Sequence, residues 1–449
     1  MRIQFVGLIV AAITTAVASA KTNPEAVAGE ILIRWKNPEI LQQASVQQKL
    51  SDLGLKTLRI HSGGAAGLGV YRLKPDADMS EVLSELKDDG RILYAQPNYV
   101  MRLVAPLDNH LSMSATTQSA TRPPIQPRPA EVLPPVADPE LKDAYHLRLT
   151  RAFDAWNTTR GSSDMLVAVI DSGIDYNHPD LAFNLWRNPS PGPEQDLVGF
   201  DFLSKNGLPW DDDEINGHGT HASGIIGSVG SNGLGSSGIN QRVSIMALKG
   251  FSAYGFSSTE VLVAAIGYAV DHGARIISNS WEGGKKDNPA MIEAIERARA
   301  HGVLMVFAAG NSHNDNDNDD TAEYPSGYHI DNILSVAATD QEDRLASFSN
   351  YGKTTVMLGA PGVNIFSTLP KGKFGWETGT SMACPLVAGA AAMVWSQHPN
   401  WNYLQVKQAL MDSVDPLPTL AGKVYTGGRL NVQKALQMRP AAQASGKSL

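Results

Sequence analysis

Three side chains in this sequence are of the types that together open an acyl bond: a carboxylate, an imidazole and a hydroxyl. Asp171 closes the run Val167-Ala168-Val169-Ile170-Asp171-Ser172-Gly173. His218 stands in Asn216-Gly217-His218-Gly219-Thr220-His221, a glycine-rich turn opening a helix. Ser381 stands in Gly379-Thr380-Ser381-Met382-Ala383, at the head of an apolar helix. Each alone has an ordinary reading, as a turn residue, a core histidine and a helix N-cap. Together they supply a nucleophile, a base and a carboxylate that orients the base. An alcohol scarcely ionises at neutral pH, so Ser381 needs a proton acceptor. The imidazole of His218, with an ordinary pKa of about 6.5, suits that task. Asp171 would hold the other ring nitrogen, fix the tautomer and stabilise the imidazolium.

Such groups need a rigid frame. Residues 167–170, 243–248, 275–278, 303–308 and 333–337 are continuous apolar runs, the pattern of strands buried on both faces. Helical stretches at 258–272, 288–301 and 382–397 lie between or after them. The alternation predicts an α/β domain over 139–437, a mostly parallel sheet sandwiched by helices. Open sheets of that kind bind ligands beyond the carboxyl ends of their strands, where Asp171 falls.

Residues 21–105 carry a second pattern. Strand-like segments at 31–36, 57–60, 69–74 and 92–95 alternate with helices at 39–53 and 80–86, a β-α-β-β-α-β order. It predicts a small ferredoxin-like α+β unit. Between the two units, 106–138 holds seven prolines and a Ser/Thr/Ala-rich run, and reads as an exposed, easily cut linker. Residues 438–449 form a polar tail. At the other end, Arg2, the apolar stretch 5–13 and Ala18-Ser19-Ala20 read as an export signal over 1–20. The chain is therefore expected to be secreted or periplasmic and, with no long apolar segment elsewhere, to lack a membrane anchor.

Composition excludes other classes. Of 449 residues, 43% are hydrophobic and 18% charged, enough apolar mass for a large core. A net charge of −8 argues against a nucleic-acid surface. The single cysteine, Cys384, rules out an internal disulfide and any multi-cysteine metal centre. Three residues past Ser381, it reads as small core packing and not as a nucleophile.

The strings Val-Ile-Asp-Ser-Gly-Ile-Asp, Gly-His-Gly-Thr-His and Gly-Thr-Ser-Met-Ala, in that order, resemble the subtilisin-like serine peptidases. Ala308-Ala309-Gly310-Asn311 is similar to that family's oxyanion segment, and the resemblance extends over roughly 139–437. It implies a serine endopeptidase acting on polypeptides by an acyl-enzyme, with Asn311 and the Ser381 N–H binding the oxyanion. It implies that Gly255-Phe256-Ser257 and Ser280-Trp281-Glu282-Gly283 pair with an extended substrate, though relatives usually carry Gly where Glu282 stands. Ala308, Ala309 and Gly310 would wall the primary pocket. Glu323 would lie at its base and favour a basic residue, with Pro325 cis beside it. The unit 21–105 would then be an inhibitory propeptide, its closing Tyr94-Ala95-Gln96-Pro97-Asn98-Tyr99 similar to such prodomains. The enzyme is expected to act as a monomer and to need no cofactor for chemistry. The family's calcium dependence makes Asp211-Asp212-Asp213-Glu214 and the acidic run 314–320 candidate Ca²⁺ loops, with no ligand set readable. The contrasting reading of the same groove is a catalytically inactive peptide-binding protein.

Overall fold

The protein is described by a computed structural model over residues 25–104, 122–130, 136–213 and 217–439. The export signal, most of the linker and nearly all of the polar tail lie outside the described residues.

Alternating apolar residues build the N-terminal domain. Strands β1 (Ala26–Trp35), β2 (Lys56–Ile60), β3 (Leu68–Arg72) and β4 (Ile92–Leu103) pair antiparallel in the order β4-β1-β3-β2. Ile31, Ile33 and Trp35 point to one face, against Val46 and Leu50 of the helix Ala44–Asp52 and Val82 and Leu86 of the helix Met79–Lys87. Leu32, Leu68 and Val70 point to the other face and join a core shared with the large domain. That is why the middle of β1 is buried residue after residue, where a surface sheet would alternate.

The large domain is the expected parallel sheet. Strands β5 (Gly161–Asp171), β6 (Gly199–Asp201), β7 (Arg242–Lys249), β9 (Ile276–Asn279), β11 (Leu304–Ala308), β12 (Ile333–Thr339), β13 (Leu358–Pro361), β16 (Asp415–Pro416) and β17 (Gly428–Arg429) form one nine-stranded sheet. Its order is β6-β7-β5-β9-β11-β12-β13-β17-β16, parallel throughout except at the β16 edge. The helices Thr259–Asp271 and Pro289–Ala300 cover one face, with Leu262, Ala265, Met291 and Ile295 buried. The helices His218–Gly227 and Thr380–Gln397 cover the other, with Ile225, Ile226, Val387 and Ala391 buried.

Two segments depart from the sequence reading. β4 does not stop near residue 95 but continues to Leu103, because its second half is paired by two short strands of the large domain, β8 (Phe256–Ser258) and β10 (Trp281–Gly283). In the Pro-rich segment, 122–130 is not loose. Arg122 pairs with buried Asp201 and donates to Leu208 O, the Pro123 carbonyl accepts from Tyr176, and Arg128 donates to Leu185 O. Its prolines keep it free of helix and strand while large-domain groups fasten it.

Candidate active site

Each reactive group is delivered by the end of an element. Asp171 is the last residue of β5, and its Oδ1 lies 2.8 Å from His218 Nδ1. The Ser172 N–H also donates to that oxygen, at 2.7 Å. His218 opens its helix after Gly217, whose φ of 59° is left-handed. A Cβ at Gly217 would lie 2.0 Å from Pro370 Cδ, so the turn presenting the imidazole admits only glycine. Ser381 is the second residue of the helix Thr380–Gln397, where unpaired backbone N–H groups face outward.

Asn311 follows β11, and its amide orientation is set by its partners. Thr380 donates to Asn311 Oδ1 through both N–H and Oγ1, each at 2.9 Å. The NH₂ end is thereby turned toward the nucleophile. A methyl placed on Gly379 would lie 2.7 Å from Ser381 Oγ and 3.0 Å from Asn311 Nδ2, so hydroxyl and amide converge on one small space. Ser381 Oγ donates to Met382 Sδ at 3.4 Å, a weak contact. His218 Nε2 is buried with no hydrogen-bond partner among the described residues.

The surroundings are strongly acidic. Burial alone would strip the proton from His218. Asp171, by charge and hydrogen bond, and then Glu377 and Asp213 outweigh it and lift the imidazole to about 9. Glu377 is itself buried and pushed up to about 8, by desolvation first and by Asp213, Asp171 and Asp211 next, against the pull of His218. Glu377 does not stand out in the sequence, and Asp213 does so only within an acidic run; nothing in either local string marks it as a neighbour of His218. The flanking motif residues are structural. His221 Nε2 faces the Ile365 carbonyl at 3.0 Å, and burial holds its ring neutral. Asp175 accepts from the N–H groups of Lys371 and Gly372. Cys384 is fully buried, its thiol pushed up to about 12 by desolvation.

The residues expected to grip an extended chain meet one, the end of β4. Val100, Met101 and Arg102 pair antiparallel with Ser258, Ser257 and Phe256; Met101, Arg102 and Leu103 pair with Gly283, Glu282 and Trp281 on the other side. Leu103 N–H donates to Gly255 O at 2.9 Å, and Val104 N–H to Ser280 O at 3.1 Å. Ser280 Oγ in turn donates to the Ser381 carbonyl at 2.9 Å, placing Val104 beside the nucleophile's own residue. Ala308 ends β11, and the Gly310 N–H donates to Thr380 Oγ1 at 3.2 Å. Glu323 is partly buried, its carboxyl raised by desolvation against the pull of Arg102, and the Tyr324–Pro325 bond is cis.

Glu214 lies outside the described residues; in the two acidic runs, Asp211, Asp212 and Asp317 are engaged by the protein itself. Asp211 accepts from Ser172 and Thr220, Asp212 pairs with Lys249, and Asp317 accepts from the backbone and hydroxyls of Thr354 and Thr355. Among the described residues no three His, Cys, Asp or Glu side chains cluster as a metal site. A buried carboxylate oxygen short of a partner lies elsewhere. Asp180 Oδ2 is buried and without a hydrogen-bond partner among the described residues, while Oδ1 accepts from Asn232. Burial first, and the nearby Asp138, push Asp180 up to about 9 against the pull of Asn232.

Comparison with known proteins supplies the family. The model described as the subtilase family matches residues 162–437, and that of the fervidolysin N-terminal prodomain matches 12–98. The chain is 30% identical over 414 residues to the thermophilic serine proteinase of Bacillus sp. (strain AK1), covering 91% of this chain and 88% of that one. It is 35% identical over 293 residues to thermitase of Thermoactinomyces vulgaris, covering 65% and 95%. The crystal structure of fervidolysin from Fervidobacterium pennivorans, a keratinolytic enzyme related to subtilisin, matches with a TM-score of 0.70 at 24% identity. The match covers 94% of this chain and 63% of that chain, and at that identity it speaks for the fold.

Proposed function

The chain belongs to the subtilase family and carries a fervidolysin-type prodomain, and from that premise we propose that it is an exported serine endopeptidase made as a zymogen. Ser381 Oγ attacks a peptide carbonyl while His218 Nε2 takes its proton, after a rotation of the serine side chain away from Met382. Asp171 holds the imidazolium. The Asn311 NH₂ and the Ser381 N–H bind the oxyanion, where loss of one donor costs roughly 3–4 kcal/mol, a magnitude known from a subtilisin itself. The C–N bond breaks, His218 gives the proton to the leaving amine, and water then hydrolyses the acyl-enzyme.

The observation that carries this reading is the seat of β4 as a third strand between β8 and β10. Main-chain pairing of this kind accepts an extended chain of almost any sequence. Here the occupant is the protein's own N-terminal domain, so the same contacts that bind substrate block it. Val104 N–H on Ser280 O supports the bond after Val104 as the first one cut. We infer further that a divalent cation, Ca²⁺ by family, is held by Asp180 with Asp138 nearby, where it would neutralise buried charge and take no part in the chemistry.

Intact-mass analysis of the purified full-length chain beside Ser381→Ala tests the proposal. The wild type should yield a fragment ending at Val104, and the variant should remain one chain. Processing of Ser381→Ala at the wild-type position and rate would overturn it. An inactive peptide-binding protein would give one chain in both.

A further inference from the structure

We propose that the side chain of Glu282, backed by Glu323, selects a basic residue at the third substrate position counted back from the cut bond. The proposal rests on the peptidase reading above. With Val104 at the carbonyl to be attacked, the third position is Arg102, which pairs in register with Glu282. The Arg102 Nε lies 3.2 Å from Glu282 Oε1.

The geometry around that carboxylate is that of a prepared receptor. The Glu282 residue is 8% exposed, and its second oxygen, Oε2, is buried with no hydrogen-bond partner among the described residues. Oε2 and the Asn350 amide both sit close against position 310, a glycine. A Cβ there would lie 3.0 Å from Oε2. Burial first, and then the negative charge of nearby Glu323, push the Glu282 carboxyl up to about 7, with Arg102 pulling the other way. Arg102 likewise opposes the burial shift of Glu323, so one guanidinium serves both carboxylates. When the N-terminal domain departs, that cation leaves and the two neighbouring acids are left without it. A substrate Arg or Lys restores the balance, and a substrate Glu makes it worse.

The test uses mature enzyme obtained from the full chain and fluorogenic peptides Xaa-Leu-Val, with Xaa Arg, Lys, Gln or Glu. Because the Arg102 side chain is 42% exposed, the expected gain is moderate. kcat/KM for Arg should exceed that for Gln about fivefold, with Glu below Gln. The Arg/Gln ratio should fall to within about twofold in Glu282→Gln, and should shrink in wild type at 1 M salt. Should Glu282→Gln fail to mature, Glu323→Gln and the salt series carry the same test. Equal kcat/KM for all four peptides in wild type overturns the proposal and leaves the peptidase reading standing. No cleavage of any peptide, together with no labelling of Ser381 by a phosphonofluoridate, removes both.

Discussion

His218 works among carboxylates, and that fixes the pH at which it is useful. A general base must be neutral before it can accept the Ser381 proton, so kcat/KM rises with pH as the imidazole loses its own. Asp171, Glu377 and Asp213 hold that proton well above the ordinary imidazole range, to about 9. The acid limb of kcat/KM should therefore lie on the alkaline side of neutrality. Removing one of these charges lowers the pKa, so Glu377→Gln should shift the limb downward by at least about half a pH unit. An unmoved limb would mean that Glu377 exerts no field on the base. That Asp171 meets His218, and that Asn311 and Ser381 share one small space, could be expected from the sequence because each lies in a short string whose turn chemistry is local. Glu377 could not, since its nearness to His218 is made by the hairpin of Ile365–Leu369 and Lys373–Glu377 folding against the helix His218–Gly227.

The prodomain closes two helix ends as well as the groove. Gln96 Oε1 accepts from Ala290 N–H at 2.9 Å, and Asn98 Oδ1 from Glu260 N–H at 3.2 Å, both in first turns whose donors lack partners within the helix. Gln96 also donates to Asn288 at 2.8 Å. Gln96→Ala should weaken inhibition by prodomain added in trans roughly tenfold, the loss of about 1–1.5 kcal/mol of buried hydrogen bonding. An unchanged inhibition constant would place the affinity in β4 alone. The parallel sheet was legible because β5, β7, β11 and β12 each hold a mainly apolar run, broken within β7 and β12 only by Ser244 and Ser335. β6 and β17 were not, because two or three residues carry no period. The far half of β4 was hidden for another reason. Residues 100–103 are mixed polar and apolar, and the partners that make them a strand lie in β8 and β10, far along the chain.

The large domain's stability should depend on what sits beside Asp180. Its folded carboxyl, raised to about 9, binds a proton that the unfolded chain releases near pH 4, so stability falls as pH climbs between those values. A divalent cation would stand in for the missing proton at pH 8 and have little to do at pH 5. Chelator should lower Tm by at least about 4 °C at pH 8 and much less at pH 5, measured by calorimetry. Equal curves with and without chelator at pH 8 would remove the cation. Once β4 leaves, β8 and β10 become two bare edges held one strand's width apart. Siblings that loosen in the heat are then food for those that have not. Loss of activity on warming should become a collision process, its half-time shortening as the preparation is concentrated, whereas simple unfolding would ignore dilution.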